Sequence, residues 1–231
     1  MKECKTKCNL GTCFLCKQSL EDWLPAIDIH RKNYEVKKGQ SIFAEGEAVN
    51  GIYFVYEGIV KVHKKWDNEK ELIIRFAKKG DILGHMGLGN DPTYPVSTTA
   101  LEPVTVCFLN LSFFESTLKV NNQFTYSLMR FFANELQESE KRMRNLVHMS
   151  VKARIAQSLI SLKNQFGLTK EGTINIEISR QDLASFSGSS YETLFKVMNE
   201  FTQQNFVSTL GREITITDEK SLLNLIANDN R

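Results

Sequence analysis

The sequence has almost no excess of either charge. It carries 29 Lys and Arg against 27 Asp and Glu in 231 residues, a formal net charge of +2. Residues 147–231 balance at nine basic and nine acidic side chains. Bulk charge therefore offers a polyanion little to hold. Any nucleic-acid contact must rest on local groups such as Arg180, Lys196, Arg212, Lys152 and Arg154, and non-specific affinity is expected to be modest, because phosphate contacts supply most of it. Long apolar runs are missing too. No window approaches the roughly eighteen apolar residues of a membrane span. The N-terminus is polar and Cys-rich with no apolar stretch of the secretory kind, which predicts a cytoplasmic chain without a leader and without a membrane partner. No nucleophile–base pair and no phosphate-binding glycine loop appears, so an enzyme reading has no residues to carry it.

What is present divides into two textures, as 26.4 kDa with 42% hydrophobic residues allows. Between residues 35 and 110, short apolar alternations are punctuated by Gly39, Gly46, Gly51, Gly58, Gly80, Gly84, Gly87 and Gly89. Residues 52–56, 59–62, 72–76 and 104–108 read as strands, and several short strands with regular turns predict a sandwich or jelly roll. From Asn121 to about Val147, Phe124, Leu128, Phe131, Phe132, Leu136, Met143 and Leu146 recur at three- and four-residue steps. Such a helix is roughly 40 Å long at 1.5 Å per residue. A small roll does not need that length to cap itself, so a dimer seam is its natural use; the alternative is a helix packed only on its own roll.

Residues 179–201, SRQDLASFSGSSYETLFKVMNEF, read as two short helices around a glycine turn. Ser179 with Asp182 and Ser189 with Glu192 have the spacing of helix-start capping pairs. Gly188 sits between them, where the chain must turn without a Cβ penalty. Leu183, Ala184 and Phe186 are expected to face inward from the first helix, and Leu194, Val197, Met198 and Phe201 from the second. Tyr191, Glu192, Phe195 and Lys196 are left on the outer face, the one that enters the major groove in a helix-turn-helix. Residues 205–216 look like two strands turning at Leu210-Gly211-Arg212, a wing after the recognition helix, and Val151 to Phe166 reads as one more amphipathic helix. The expected DNA contacts are Arg180, Gln181, Ser189, Ser190, Tyr191, Glu192, Thr193, Lys196 and Arg212. Glu192 can accept a hydrogen bond from cytosine N4. The alternative is a helical hairpin that only packs a core.

A β-roll, a long helix and a winged helix in that order resemble the CRP/FNR family of bacterial transcription regulators. The segments that carry the resemblance are Gly39-Gln40 with Gly46-Glu47, Tyr53-Phe54-Val55-Tyr56-Glu57-Gly58, Lys79-Gly80-Asp81-Ile82-Leu83-Gly84, Val151-Lys152-Ala153-Arg154-Ile155-Ala156 and Ser190-Tyr191-Glu192-Thr193. The resemblance implies an α+β chain: a Cys-rich segment over 1–20, a cyclic-nucleotide-binding-like jelly roll over 21–120, a dimerisation helix and hinge over 121–149, and a winged helix-turn-helix domain over 150–231. It implies a homodimer that binds an inverted-repeat operator in double-stranded DNA, with RNA polymerase as a further partner. Tyr191 and Lys196 stand where many relatives carry arginines.

The family's cyclic-AMP binders hold the cyclic phosphate with an Arg-Ser pair and the ribose with a Glu. Here those positions fall at Tyr94-Pro95 and at His85, in Gly84-His85-Met86-Gly87, and the helix residues expected near the base are Ser139 and Glu140. A buried phosphate needs a paired cation, so the pocket formed by His85, Met86, Tyr94, Ser139 and Glu140 is expected to be retained without cyclic-nucleotide binding. The cysteines offer another sensor. Cys4, Cys8, Cys13 and Cys16 form C-x3-C-x4-C-x2-C, and Cys107 follows an Ala-Leu-Glu strand start. Oxygen-sensing relatives hold a [4Fe-4S] cluster with N-terminal cysteines in C-x2-C-x5-C and one distant cysteine. Cys107 matches the distant ligand, and three of the four others would complete the thiolate set. A structural zinc site, a reversible disulfide to Cys107 and thiols without a role remain open. So does a sensing protein whose helix-turn-helix has lost DNA binding.

Overall fold

The computed structural model describes residues 1–4, 13–65 and 71–229, and divides into two compact units, Met1–Leu136 and Gln137–Arg231. The first unit is built on two antiparallel sheets. One has strand order β1 (Lys2–Cys4), β2 (Lys32–Val36), β8 (Val104–Asn110), β3 (Gly51–Glu57), β6 (Ile82–Leu83); the other has β5 (Glu71–Ala77), β4 (Val60–Lys65), β7 (Ser97–Ala100). All four strands expected from the sequence are present. Tyr53, Val55, Val60, Val62, Leu83, Val104 and Val106 fill the space between the sheets. Alternate residues of the larger sheet face the other way, as strand periodicity requires. Ile52, Phe54, Ile82, Cys107 and Leu109 meet α1 (Phe14–Gln18), α2 (Leu24–His30), α3 (Leu111–Val120) and the first turns of α4 (Asn122–His148) in a second cluster with Leu15, Ile27, Phe114 and Phe124. The sheet is thus buried on both faces, which explains why β3 reads as a continuous apolar run.

The β4–β5 hairpin closes on a charged group. Glu71 accepts from His63 Nδ1 at 2.8 Å and pairs with Lys61. The hydrogen bond to His63 and the Lys61 charge, against partial burial, hold the Glu71 carboxyl down at about 2. A folded value below the unfolded one stabilises the fold fully above about pH 4.5 and is lost as pH falls toward 2. Glu71→Gln should therefore cost about 2 kcal/mol at pH 7, read from urea unfolding, and much less at pH 3. An equal cost at both pH values would remove this pair from the account.

The second unit folds around α5 (Val151–Phe166), which Ser150 caps by accepting from Ala153 N, and which buries Ile155, Ala156, Leu159 and Leu162. α6 (Arg180–Ser187) and α7 (Tyr191–Gln203) follow, then the hairpin β9 (Val207–Leu210) and β10 (Glu213–Ile216) and α8 (Glu219–Asp229). Leu183, Ala184, Leu194, Met198 and Phe201 are buried as expected. Phe186 and Val197 are only half-buried; the Phe186 ring carries the Arg142 guanidinium 4.7 Å from its centroid. Among the described residues no helix is long and apolar enough to cross a membrane.

Candidate nucleic-acid interface and sensor pocket

The helix-turn-helix is set by three local devices. Ser179 Oγ accepts from Asp182 N at 2.9 Å and donates to its carboxylate at 2.5 Å, which starts α6. Gly188 ends it in the left-handed region at φ 64°, and a Cβ there would lie 2.5 Å from Leu146 Cδ2. A larger residue would meet both backbone strain and a clash. The cap of α7 differs from the expected one. Ser190, not Ser189, accepts from Thr193 N, and the Ser189 hydroxyl is instead bonded to that of Ser187 at 2.9 Å. Glu192, one position short of closing a capping box on Ser190, stays exposed in the first turn, where the helix dipole favours a carboxylate. Its own amide and the Ser190 hydroxyl hold its pKa below the ordinary carboxylate value.

Tyr191, Glu192, Phe195, Lys196 and Asn199 form the exposed side of α7, and Gln181 and Ser190 are exposed beside it; Thr193 and Ser189 are half-buried. The basic groups are less available than their count suggests. Arg154 donates to the carbonyls of Leu146 and Gly188 at 2.8 and 3.0 Å, tying the turn to the helix before it. Lys152 pairs with Glu200, and Arg212, at the wing tip, with Glu177 at 3.0 Å. Arg180 donates weakly to Gly211 O at 3.3 Å, while its Nη1 is buried with no hydrogen-bond partner among the described residues. Lys196 is exposed.

In the first unit a small pocket is lined by Phe43, Val62, Arg75, Leu83, Gly84, His85, Met86, Tyr94, Pro95, Val96 and Thr98. His85, Met86 and Tyr94 are where the sequence put them. Ser139 and Glu140 do not belong to this lining and are exposed. The α4 residue that reaches the site is Glu135, one turn earlier, 3.5 Å from Arg75 Nε and 4.0 Å from His85 Nε2. Arg75, unremarked in the sequence, is its cation, and it also donates to Ile82 O at 2.6 Å. Neither ring nitrogen of His85 has a hydrogen-bond partner among the described residues. Burial, with the Arg75 charge, pushes its pKa down to about 3, so the ring is neutral at physiological pH. Phe43 and Tyr94 stack at 4.0 Å across the interior. The free space is about 10 Å3, room for roughly one water.

Cys13, Cys16 and Cys107 lie together in the helix-covered cluster, on the opposite face of the larger sheet from this pocket. Cys107 pairs in register with Asn33, and Asn33 with Cys4, so Cys4 and Cys107 share that face two strands apart. Cys13 caps α1 with its sulfur, 3.4 Å from Cys16 N. The hydrogen bond from the Cys16 side chain outweighs burial and lowers the Cys13 thiol to about 6. Cys8 lies outside the described residues. Among those described, no three His, Cys, Asp or Glu side chains are arranged to hold a metal ion.

Two family models match, a cyclic nucleotide-binding domain over residues 34–121 and a Crp-like helix-turn-helix domain over 153–225. The chain is 27% identical over 219 residues to the transcriptional activator protein Anr of Pseudomonas aeruginosa, covering 93% of this chain and 89% of the relative. It is 28% identical over 203 residues to the cAMP-activated global transcriptional regulator CRP of Salmonella typhimurium, covering 86% and 93%. It is 26% identical over 197 residues to the anaerobic regulatory protein of Bacillus subtilis, covering 84% and 82%. The structure of FixK2 from Bradyrhizobium japonicum superposes with a TM-score of 0.75 at 23% identity, over 84% of this chain and 96% of that one.

Proposed function

The chain belongs to the CRP/FNR family of transcription regulators, and from that premise we propose that it is a homodimeric regulator that reads an inverted-repeat operator through α7 and responds to an oxygen or redox signal rather than to a cyclic nucleotide. The observation that carries the proposal is the contrast between the two candidate sensors in the first unit. The pocket of the roll is filled by its own Phe43–Tyr94 stack and holds about 10 Å3 of free space, whereas ligand pockets are of the order of 300 Å3 or more. Its Arg75 is already bound to Ile82 O and faced by Glu135, so a phosphate would have to displace a carboxylate that the fold supplies. Three of the thiols, Cys13, Cys16 and Cys107, by contrast lie in one buried cluster, and the Cys13 thiol is lowered to about 6.

Thiolates suit an iron–sulfur cluster, and in this reading Cys107 with three of Cys4, Cys8, Cys13 and Cys16 would hold a [4Fe-4S] group, which supplies oxygen-labile redox chemistry when bound. The side chains fit in kind: the hydrogen bond from Cys16 lowers the Cys13 thiol to about 6, which favours a thiolate. The name of the relative in Bacillus subtilis, an anaerobic regulatory protein, agrees with this sense of signal, whereas the Salmonella typhimurium relative is named as a cAMP-activated regulator. A reversible disulfide between Cys107 and an N-terminal cysteine is the second reading, favoured by the same acidic Cys13. RNA polymerase is the further partner in this reading.

On DNA, half-sites about one helical turn apart, roughly 34 Å, are expected. Exposed Lys196 suits a phosphate, and exposed Glu192 suits cytosine N4. Selection of bound sequences from a random pool tests this. Glu192→Ala should relax preference at one C·G position per half-site, at a cost of about 1–3 kcal/mol there, and millimolar cyclic AMP or cyclic GMP should leave the affinity unchanged. Identical preferences before and after the substitution would refute the Glu192 assignment, and a nucleotide-dependent affinity would refute the sensor assignment.

A further inference from the structure

Helix α7 carries two large aromatic rings that its own fold does not use. Tyr191 and Phe195 are 44% and 56% exposed. They stand one helical turn apart with their planes 17° from parallel and 6.5 Å between centroids. Leu194, Met198 and Phe201 already supply the buried side of this helix, so nothing in the packing asks for aromatics on the other side. Contiguous exposed apolar surface of this kind marks a face that becomes covered. The rings are flanked by Glu192 and Lys196 in the first turns of the helix, the part of a recognition helix that meets base edges.

The covering surface is therefore the floor of a major groove, and its chemistry can be stated more closely. Most groups on that floor are hydrogen-bond donors and acceptors, and a phenyl ring pressed on them would leave them unpaired. The one apolar group there is the 5-methyl of thymine. A ring spacing of 6.5 Å is close to two base-pair steps of roughly 3.4 Å each. We infer that Phe195, buttressed by the ring of Tyr191, reads thymine 5-methyl groups and so specifies T at defined positions of each half-site, next to the C·G pair assigned to Glu192. The inference rests on the reading of α7 as the recognition helix and deepens it.

Exchange of dT for dU tests it, because it removes the methyl and leaves base pairing and the O4 acceptor intact. Duplexes enriched by selection with the full-length protein are remade with single dT→dU changes, and affinities are compared by fluorescence anisotropy at fixed salt. One or two positions per half-site should lose about fourfold, the value of one buried methyl-sized group, and roughly fifteenfold when both half-sites are changed. Phe195→Ala should bind the dT and dU duplexes equally, and Phe195→Leu should retain part of the difference; thermal melting reports whether either variant is folded. If the wild-type protein prefers selected over random duplex yet ignores every dT→dU change, the methyl reading is overturned while α7 remains the recognition helix. If it does not distinguish selected from random duplex at all, both readings fall. The wild-type comparison needs no variant to fold.

Discussion

Aspartate at both Met129 and Leu136 should turn the dimer into a monomer and lower operator affinity by at least a hundredfold. Within α4, Met129, Leu136 and Met143 recur every seven residues and are 58%, 62% and 63% exposed, with Tyr126 and Val147 also exposed. Ala133 and Glu140 lie between them on the same stripe, and Tyr126 and Val147 continue it at either end. A seven-residue apolar repeat on an exposed helix face is the pattern of a two-stranded seam. A single chain gains nothing by exposing it, whereas a second copy buries it against itself through a two-fold axis. Two aspartates per chain place four carboxylates in that seam, each desolvated without a partner and close to its like, which costs several kcal/mol. Loss of the second half-site then removes an avidity gain of the order of 10²–10⁴. Because Met129 and Leu136 are exposed in the single chain, its own melting should barely change. The checks are sedimentation equilibrium and anisotropy on the full operator. A double variant that still sediments as a dimer would remove α4 from the interface.

The same helix shows where sequence reading succeeds and where it stops. Periodicity gave its extent to within a residue at each end, Asn121 to about Val147 against Asn122–His148, because apolar spacing and helix geometry are properties of one segment. The family resemblance pointed to Ser139 and Glu140, whereas the α4 residue beside Arg75 and His85 is Glu135, one turn before Ser139. Residues four apart share a face, so the pattern cannot say which turn lies opposite a given strand; that is a register between helix and sheet, fixed by packing. Arg75 escaped notice for a related reason. Its direction depends on the β4–β5 pairing, which is bulged between Val62 and His63. β1 and β2 were missed because KEC and KNYEV are too polar to read as strands alone. β2 exists through pairing with β8, which was legible, and β1 through pairing with β2. At α7 the expected cap is Ser189, but its hydroxyl is taken up by Ser187 across the turn and Ser190 caps the helix instead. The ion pairs of Arg212 and Lys152 are not legible in the sequence, since their partners Glu177 and Glu200 lie 35 and 48 positions away.

Cys107→Ser should leave the protein unable to take up iron. Cys107 is almost wholly buried in β8, flanked in register by Asn33 and Phe54, on the sheet face that also receives Cys13 and Cys16. Serine keeps the size of the side chain but replaces a thiol by a hydroxyl that does not ionise near neutral pH, so the soft anionic ligand is lost. The buried hydroxyl costs the fold about 1–3 kcal/mol unless it finds an acceptor, a shift that melting can measure separately. Wild-type protein reconstituted with iron and sulfide without oxygen should become brown, hold about four iron atoms per chain as a [4Fe-4S] group requires, and bleach in air. Of the substitutions at Cys4, Cys8, Cys13 and Cys16, one should be tolerated. Cys13→Ser should not be among the mildest, because the hydrogen bond from Cys16 lowers its thiol to about 6 and so favours the thiolate that binds metal. Metal uptake competes with protons for the same thiolates, so iron loading should fall as pH drops below about 6 and recover when it is raised. If cluster loss biases the dimer, as a differential stabilisation of a few kcal/mol between two arrangements would allow, operator affinity should fall on exposure to air in the wild type and stay low throughout in Cys107→Ser. Wild-type protein that remains colourless and iron-free after reconstitution would eliminate the cluster. An oxygen-dependent disulfide from Cys107 to an N-terminal cysteine, found by mass spectrometry in that same preparation, would establish the thiol switch in its place.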